Sequence, residues 1–160
     1  MSGVTLSELA ARPRMPVVLA RYDRLRADLL AALDAEIGDL RWARQDDGGA
    51  AGCPGADSPL PETRHPDSWL AQEPVPDEGW HAALAVLARV GGAHGFGTPF
   101  VVADRPGQHV AEVRDAWGGV LRLTSSAVAL VAVQTGCHLP AEGAAPEPPA
   151  PPHPLPDLSR

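Results

Sequence analysis

The chain has two cysteines, and their placement limits its fold more than any other feature. Cys53 stands in Gly52-Cys53-Pro54-Gly55 and Cys137 in Thr135-Gly136-Cys137-His138. Each follows a glycine at the edge of a turn-rich stretch. If they bond, an early loop is tied to the last strand, and the domain belongs in an oxidising compartment. The other reading is two free, partly buried thiols. The residues by themselves leave both open.

A chain of 160 residues has the length of one domain. Its end, residues 140–160, is dominated by proline and alanine with almost no large apolar side chain. Such a segment cannot bury enough surface to offset its ordering entropy, so a disordered Pro-rich tail is expected there. Residues 1–14 read as a flexible N-terminal segment. The remainder, 15–139, forms a single α+β domain of about 125 residues, enough for a hydrophobic core.

The net charge is −7, and all thirteen basic residues are arginines. An acidic chain without a basic stripe makes nucleic acid an unsuitable partner, because phosphate neutralisation supplies most of that affinity. Arg21, Arg24 and Arg26 share one helix with Asp23 and Asp28 and read as a solvated face. No stretch reaches the ~18 apolar residues of a membrane span. The most apolar early run, residues 15–20, is interrupted by Pro16 and flanked by arginines, unlike a secretory leader. This conflicts with a disulfide unless the true start lies upstream of Met1. The location is extracytoplasmic or in the cell envelope if the true start is upstream, and cytoplasmic otherwise.

Pro16 suits a first helical position. Val18, Tyr22, Leu25, Leu29, Leu33 and Ile37 then recur at spacings of three and four, and Gly38 supplies a stop. Leu40-Arg41-Trp42-Ala43-Arg44 alternates like a short strand. Residues 45–76, dense in Gly and Pro, read as a long irregular loop. Asp77 is a suitable N-cap for a second helix carrying Trp80, Leu84 and Leu87, closed by Gly91-Gly92. Four strands follow: residues 96–103, 109–115 with Ala111 and Val113 inward, 120–124 with Leu121 and Leu123 inward, and 127–135. Arg105-Pro106-Gly107-Gln108 has the signature of a type II turn. Short turns between strands imply an antiparallel meander. The expected architecture is an α+β two-layer sandwich, an antiparallel sheet of four to five strands with two helices packed on one face.

An ordered set of local motifs then emerges. It runs through Arg21-Tyr22, Leu40-Arg41-Trp42, Asp47-Gly48-Gly49, Pro76-Asp77 with Trp80, and Gly95-Phe96. Residues 102–107, Trp117-Gly118-Gly119 and Thr135-Gly136-Cys137-His138-Leu139-Pro140 complete it. From Val17 to Pro140 the set resembles the LppA-like lipoproteins of actinobacteria. The resemblance implies an exported, lipid-anchored protein in which Cys53 and Cys137 form the disulfide. It implies no catalytic residues. The chain departs from that pattern at its start, which has neither signal peptide nor lipid-attachment cysteine, so membrane association is expected only if a lipid-anchored N-terminus lies upstream of Met1.

No catalytic constellation assembles from the rest. A zinc site from Cys53, Cys137 and His138 lacks a fourth ligand. A reactive thiol would need His94 or His109 beside it, and nothing in the spacing brings them there. His65 and His153 fall in loop and tail. The glycine-rich segment 91–97 leaves a helix and opens a strand, the reverse of a phosphate-cradling loop. Asp104 and Arg105 read as turn residues, and Glu112 and Asp115 as ordinary partners of arginines. Trp42 and Trp80 fall on core faces, whereas Trp69 and Trp117 lie in loops where an aromatic can mark a binding surface. The sequence thus points to a non-enzymatic envelope domain without metal or cofactor. It would bind an unknown protein or small ligand around Trp69 and Trp117. The alternative is an intracellular protein-interaction module with free thiols.

Overall fold

The structure, a computed structural model, describes residues 4–46, 48–53 and 61–142. Its longest element is α2, Met15–Ile37, which opens with Pro16 in the first turn and stops at Gly38, where φ is 131°. The apolar stripe read from the sequence is its buried face: Val18, Leu25, Leu29 and Leu33 are fully buried and Tyr22 nearly so. Each such side chain contributes roughly 1.5–3 kcal/mol of transfer free energy. Helix α3, Trp80–Ala93, lies beside α2 and contributes Trp80, Ala83, Val86, Leu87 and Val90 to the same core.

Both helices cover one face of an antiparallel sheet. Four of its strands form the expected meander: β5 Phe100–Arg105, β6 Gln108–Arg114, β7 Val120–Ser125 and β8 Ala129–Gln134. The register stacks Val113, Leu121 and Val133 in one row and Ala111, Leu123 and Val131 in the next, all facing the helices. Gly107 in the β5–β6 turn has a φ of 73°, as a type II turn requires at that position. The α+β class and the helix-covered antiparallel sheet match the expectation.

Several details differ. The sheet has six strands, in the order β1-β4-β8-β7-β6-β5, because β1 (Trp42–Arg44) and β4 (Trp69–Ala71) extend it beyond β8. The segment 45–76 is therefore not one irregular loop. Besides β4 it holds a second small sheet, in which β2 (Gly49–Gly52) pairs with β3 (Glu62–His65). These strands are three or four residues long and held by distant partners, so no local period announces them. Within the N-terminal segment expected to be flexible, Leu6–Ala11 forms a helix, α1. Its capping box joins the Thr5 side chain to Glu8, and Leu9 is buried.

Asp77 is not an N-cap. It opens a 3-10 turn, Asp77–Gly79, and its carboxylate instead accepts from the Gly107 backbone (2.9 Å) and sits 2.7 Å from His109 Nε2. The helix also runs through Gly91-Gly92 rather than stopping there, and the chain turns at Gly95, with φ at 87°. A Cβ at Gly91 would make ordinary contact with Val113 and Phe96, so this turn of α3 lies directly against β6. The expected disordered tail falls, from residue 143 onward, outside the described residues.

Cys53 and Cys137 are joined in a disulfide, with Cα atoms 6.0 Å apart. The bond attaches the β2–β3 hairpin to the segment after β8. Backbone pairing reinforces it: Glu62 and His138 exchange N–H···O bonds of 3.0 Å, and Thr135 N donates to Arg64 O at 2.7 Å. Gly136 packs so closely on the 117–118 backbone that a Cβ would overlap the Trp117 carbonyl.

Two outcomes are expected in denaturant titrations. Reducing the disulfide, which closes an 84-residue separation, should lower stability by about 4 kcal/mol with the fold retained at low temperature. Gly136→Ala should cost on the order of 3 kcal/mol by overpacking, whereas Gly92→Ala, with open space at its Cβ, should be neutral or slightly stabilising. Equal effects of the two alanines would contradict the packing described.

Candidate functional site

The site is a cleft at one end of the helix layer, about 450 Å³ in volume. Three elements line it: the first turns of α2 through Val18, Arg21, Tyr22 and Arg24; the end of α3 through Ala93, His94 and Gly95; and the β6–β7 turn through Asp115, Ala116 and Trp117. The helical period sets the first group. Val18 and Tyr22 belong to the buried stripe, while Arg21 and Arg24, three apart, stand beside it on the exposed side.

The floor is a saturated polar unit. The Tyr22 hydroxyl donates to Asp115 Oδ2. Asp115 Oδ1 accepts from the backbone N–H groups of Trp117 (2.9 Å) and Gly119 (2.7 Å), which folds the turn around the carboxylate. Gly119 must lack a side chain, since a Cβ there would overlap both the Tyr22 hydroxyl and the carboxylate. Burial first, and then the adjacent carboxylate, push the Tyr22 phenol far above its ordinary range. The hydroxyl is thus a fixed donor. Asp115, with both oxygens occupied, is a structural carboxylate rather than a member of a surface ion pair.

The wall is Trp117, whose ring meets His138 edge-on with centroids 5.8 Å apart. His138 is completely buried, and its Nδ1 donates to the Pro13 carbonyl at 2.8 Å. Desolvation lowers its pKa below the ordinary histidine value, which favours the neutral ring. Arg12 ties the wall to the end of α1, reaching the carbonyls of Cys137 (2.8 Å) and Trp117 (3.4 Å). On the rim, the Arg21 guanidinium lies over the Trp117 ring, 5.9 Å from its centroid. His94 Nε2 is 2.8 Å from Asp28 Oδ2.

Of the two tryptophans singled out in the sequence, Trp117 lines this cleft. Trp69 does not. It sits on β4, on the helix-facing side with Val131, and Arg26 covers its ring at 5.1 Å while bonding Asp67 at 2.5 Å. Arg26 is therefore engaged in packing, and the arginine face of α2 splits into one packed member and two that frame the cleft. Sequence reasoning missed Arg21, Arg24 and the Tyr22–Asp115 pair. The one available signal was the three-residue spacing of the arginines beside the buried stripe. Tyr22 looked like core, and nothing local links it to a turn 93 residues away. Glu112 is buried between Arg122 (2.6 Å) and Arg114 (3.5 Å), away from this cleft. His109 is held between Asp104 and Asp77 and stacks on Trp80.

The molecule is thus a small disulfide-linked α+β domain with one aromatic, arginine-rimmed cleft. The profile of the LppA family, described as a lipoprotein confined to pathogenic Mycobacterium, matches residues 5–141, and the chain belongs to that family. The fold is similar to the crystal structure of LppA from Mycobacterium tuberculosis. There the TM-score is 0.71 at 14% identity, with 89% of each chain covered. It is also similar to a DUF4853 family protein from Actinomyces odontolyticus, with a TM-score of 0.56 at 14% identity over 96% of this chain and 83% of the other. No curated protein matches the sequence. Among the described residues no helix is long and apolar enough to cross a membrane.

Tyr22 is the only tyrosine in the chain, so an ultraviolet phenolate titration reads this site alone. With its folded pKa raised, the group stabilises fully below about pH 10, its unfolded value, and that contribution is lost as pH rises above it. No phenolate should form before the alkaline unfolding transition. Tyr22→Phe should remove this part of the alkaline slope and cost roughly 1–3 kcal/mol at neutral pH by leaving Asp115 short of a donor. A free phenolate near pH 10 in the folded protein would refute the arrangement.

Proposed function

We propose that this protein is a cell-envelope domain that binds a ligand in the Trp117 cleft without transforming it. The observation that carries the reading is the cleft's construction. Its floor groups are mutually consumed: Tyr22 donates to Asp115, and Asp115 accepts from three donors in all. His94, bonded to Asp28 through Nε2, has no serine, threonine or cysteine beside it in the cleft lining. An enzyme of the acid–base or nucleophilic kind needs a group held ready for the substrate, with a second to orient it. Here Tyr22 and Asp115 orient one another, and the most exposed parts of the lining are two guanidinium groups and apolar wall beside a half-buried indole. That is the composition of a recognition surface.

Two further observations support placement in the envelope. The family described by the matching profile is a lipoprotein family. The disulfide joins distant segments and suits an oxidising compartment.

The gene, expressed with its upstream DNA in a native-type host, tests both halves. The protein should fractionate with the membrane and carry an oxidised Cys53–Cys137 pair on alkylation and intact mass. Purified ¹⁵N-labelled domain, titrated with a solubilised envelope extract, should show amide shifts concentrated at residues 93–95 and 115–119. A soluble cytosolic protein with alkylatable thiols would refute the location. Shifts elsewhere, with the cleft silent, would refute the binding site.

A further inference from the structure

The charges around the cleft are unequally matched. On the first half of α2, Asp23 pairs with Arg26 at 3.3 Å and Asp28 with His94 at 2.8 Å. Asp67 also takes Arg26, and Asp115 is consumed by Tyr22 and the turn backbone. Arg21 and Arg24 are left without a carboxylate partner or side-chain hydrogen bond among the described residues. Arg41 and Arg89 share that property, but neither borders this cleft. In a chain of net charge −7, the cleft lining sets the cations Arg21 and Arg24 against the single carboxylate of Asp115, a local excess of positive charge.

The geometry gives these cations a use. The Arg21 guanidinium carbon lies over the Trp117 ring at 5.9 Å from its centroid, and its N–H groups have no protein acceptor among the described residues. A guanidinium fork matches a carboxylate or phosphate in two parallel hydrogen bonds. Arg24, one turn further along, can supply a second. The volume adds the other half of the argument. About 450 Å³ is much more than an inorganic anion fills and lies in the range of small organic ligands. Beyond the arginines the lining is Val18, Ala93, Gly95, Ala116, the indole, His94 and the Tyr22–Asp115 pair, whose one carboxylate has its oxygens turned to the Tyr22 hydroxyl and the turn backbone.

We infer that the cleft takes an organic oxyanion, a ligand whose phosphate or carboxylate seats between Arg21 and Arg24 while its body lies along Trp117 and Ala116. This rests on the binding reading above and gives it a ligand class. A sugar phosphate and an anionic lipid headgroup share that chemistry. Both arginines are exposed, so replacing them leaves the fold intact.

The test is an NMR titration of the ¹⁵N-labelled chain with glucose 6-phosphate, glucose and inorganic phosphate, beside sedimentation with phosphatidylglycerol and phosphatidylcholine vesicles. Glucose 6-phosphate should shift the amides of residues 93–95 and 115–119, bind more tightly than inorganic phosphate, and weaken with added salt. Arg21→Ala and Arg24→Ala should each lower the affinity roughly tenfold or more, and Arg21→Lys should recover only part of it. If sedimentation occurs with phosphatidylglycerol alone and is lost in Arg21→Ala, the source is a lipid headgroup. Equal affinity for glucose and its phosphate would overturn the inference while the binding reading stood. Equal affinity for inorganic phosphate, or indifference to both alanine variants, would overturn it too. So would silence with every anionic probe and vesicle. The binding reading itself falls only if the envelope extract also leaves the cleft amides unmoved.

Discussion

Residues 135–138 are where separate parts of the molecule meet. Thr135 exchanges hydrogen bonds with Arg64, and Gly136 lies against the Trp117 carbonyl. Cys137 is bonded to Cys53, while its carbonyl accepts from Arg12. His138 pairs with Glu62 through the backbone, reaches the Pro13 carbonyl and supports the Trp117 ring. Four consecutive residues thus fasten the β2–β3 hairpin, the α1–α2 junction and the β6–β7 turn to the end of β8. Each neutral hydrogen bond contributes only about 1 kcal/mol. The disulfide adds more, by limiting the unfolded chain. Without this knot, the hairpin's own short strands would be too small to hold it in place.

The cleft inherits its shape from the same knot. Its wall, Trp117, is fixed from below by His138 and from the side by Arg12, and its floor by the closed Tyr22–Asp115 unit. The rim is different. Arg21 lies over the Trp117 ring and Arg24 is exposed beside it. For the ligand proposed above, a fixed floor and wall lower the ordering cost of binding, and the two cations supply attraction at a distance.

Legibility from sequence followed the distance over which each feature is determined. The buried stripe of α2 and the strands of the meander are set by local period and by turn residues such as Pro106-Gly107, and both were readable. The alternation of residues 40–44 also announced β1, but strands β2 to β4 were not readable, because three or four residues amid glycine and proline carry no period and their partners lie far along the chain. Asp77 misled for a related reason. Its local setting is that of an N-cap, but Gly107 and His109 compete for the carboxylate and win. The opposite error occurred at Thr5-Leu6-Ser7-Glu8, where the capping-box spacing was present and the short helix it starts went unread. In the cleft, Trp117 was visible as an aromatic beside two glycines. The Tyr22–Asp115 pairing that makes the turn a floor depends on contacts across 93 residues.

Composition concealed the cleft in another way. With arginine as the only basic side chain, thirteen identical cations spread along the chain look like background, and an acidic total argues against anion binding. The structure changes that by consuming most of the charge locally. Arg26 goes to Asp67 and the Trp69 ring, Arg64 to Glu62, and Arg114 and Arg122 to Glu112. Arg12 serves backbone carbonyls. What a ligand meets is not the net charge but the remainder after these pairings, and at the Trp117 cleft the remainder is positive. The acidic whole then works with the site rather than against it. On the proposed reading it disfavours anions over much of the surface, while Arg21 and Arg24 favour one at this cleft.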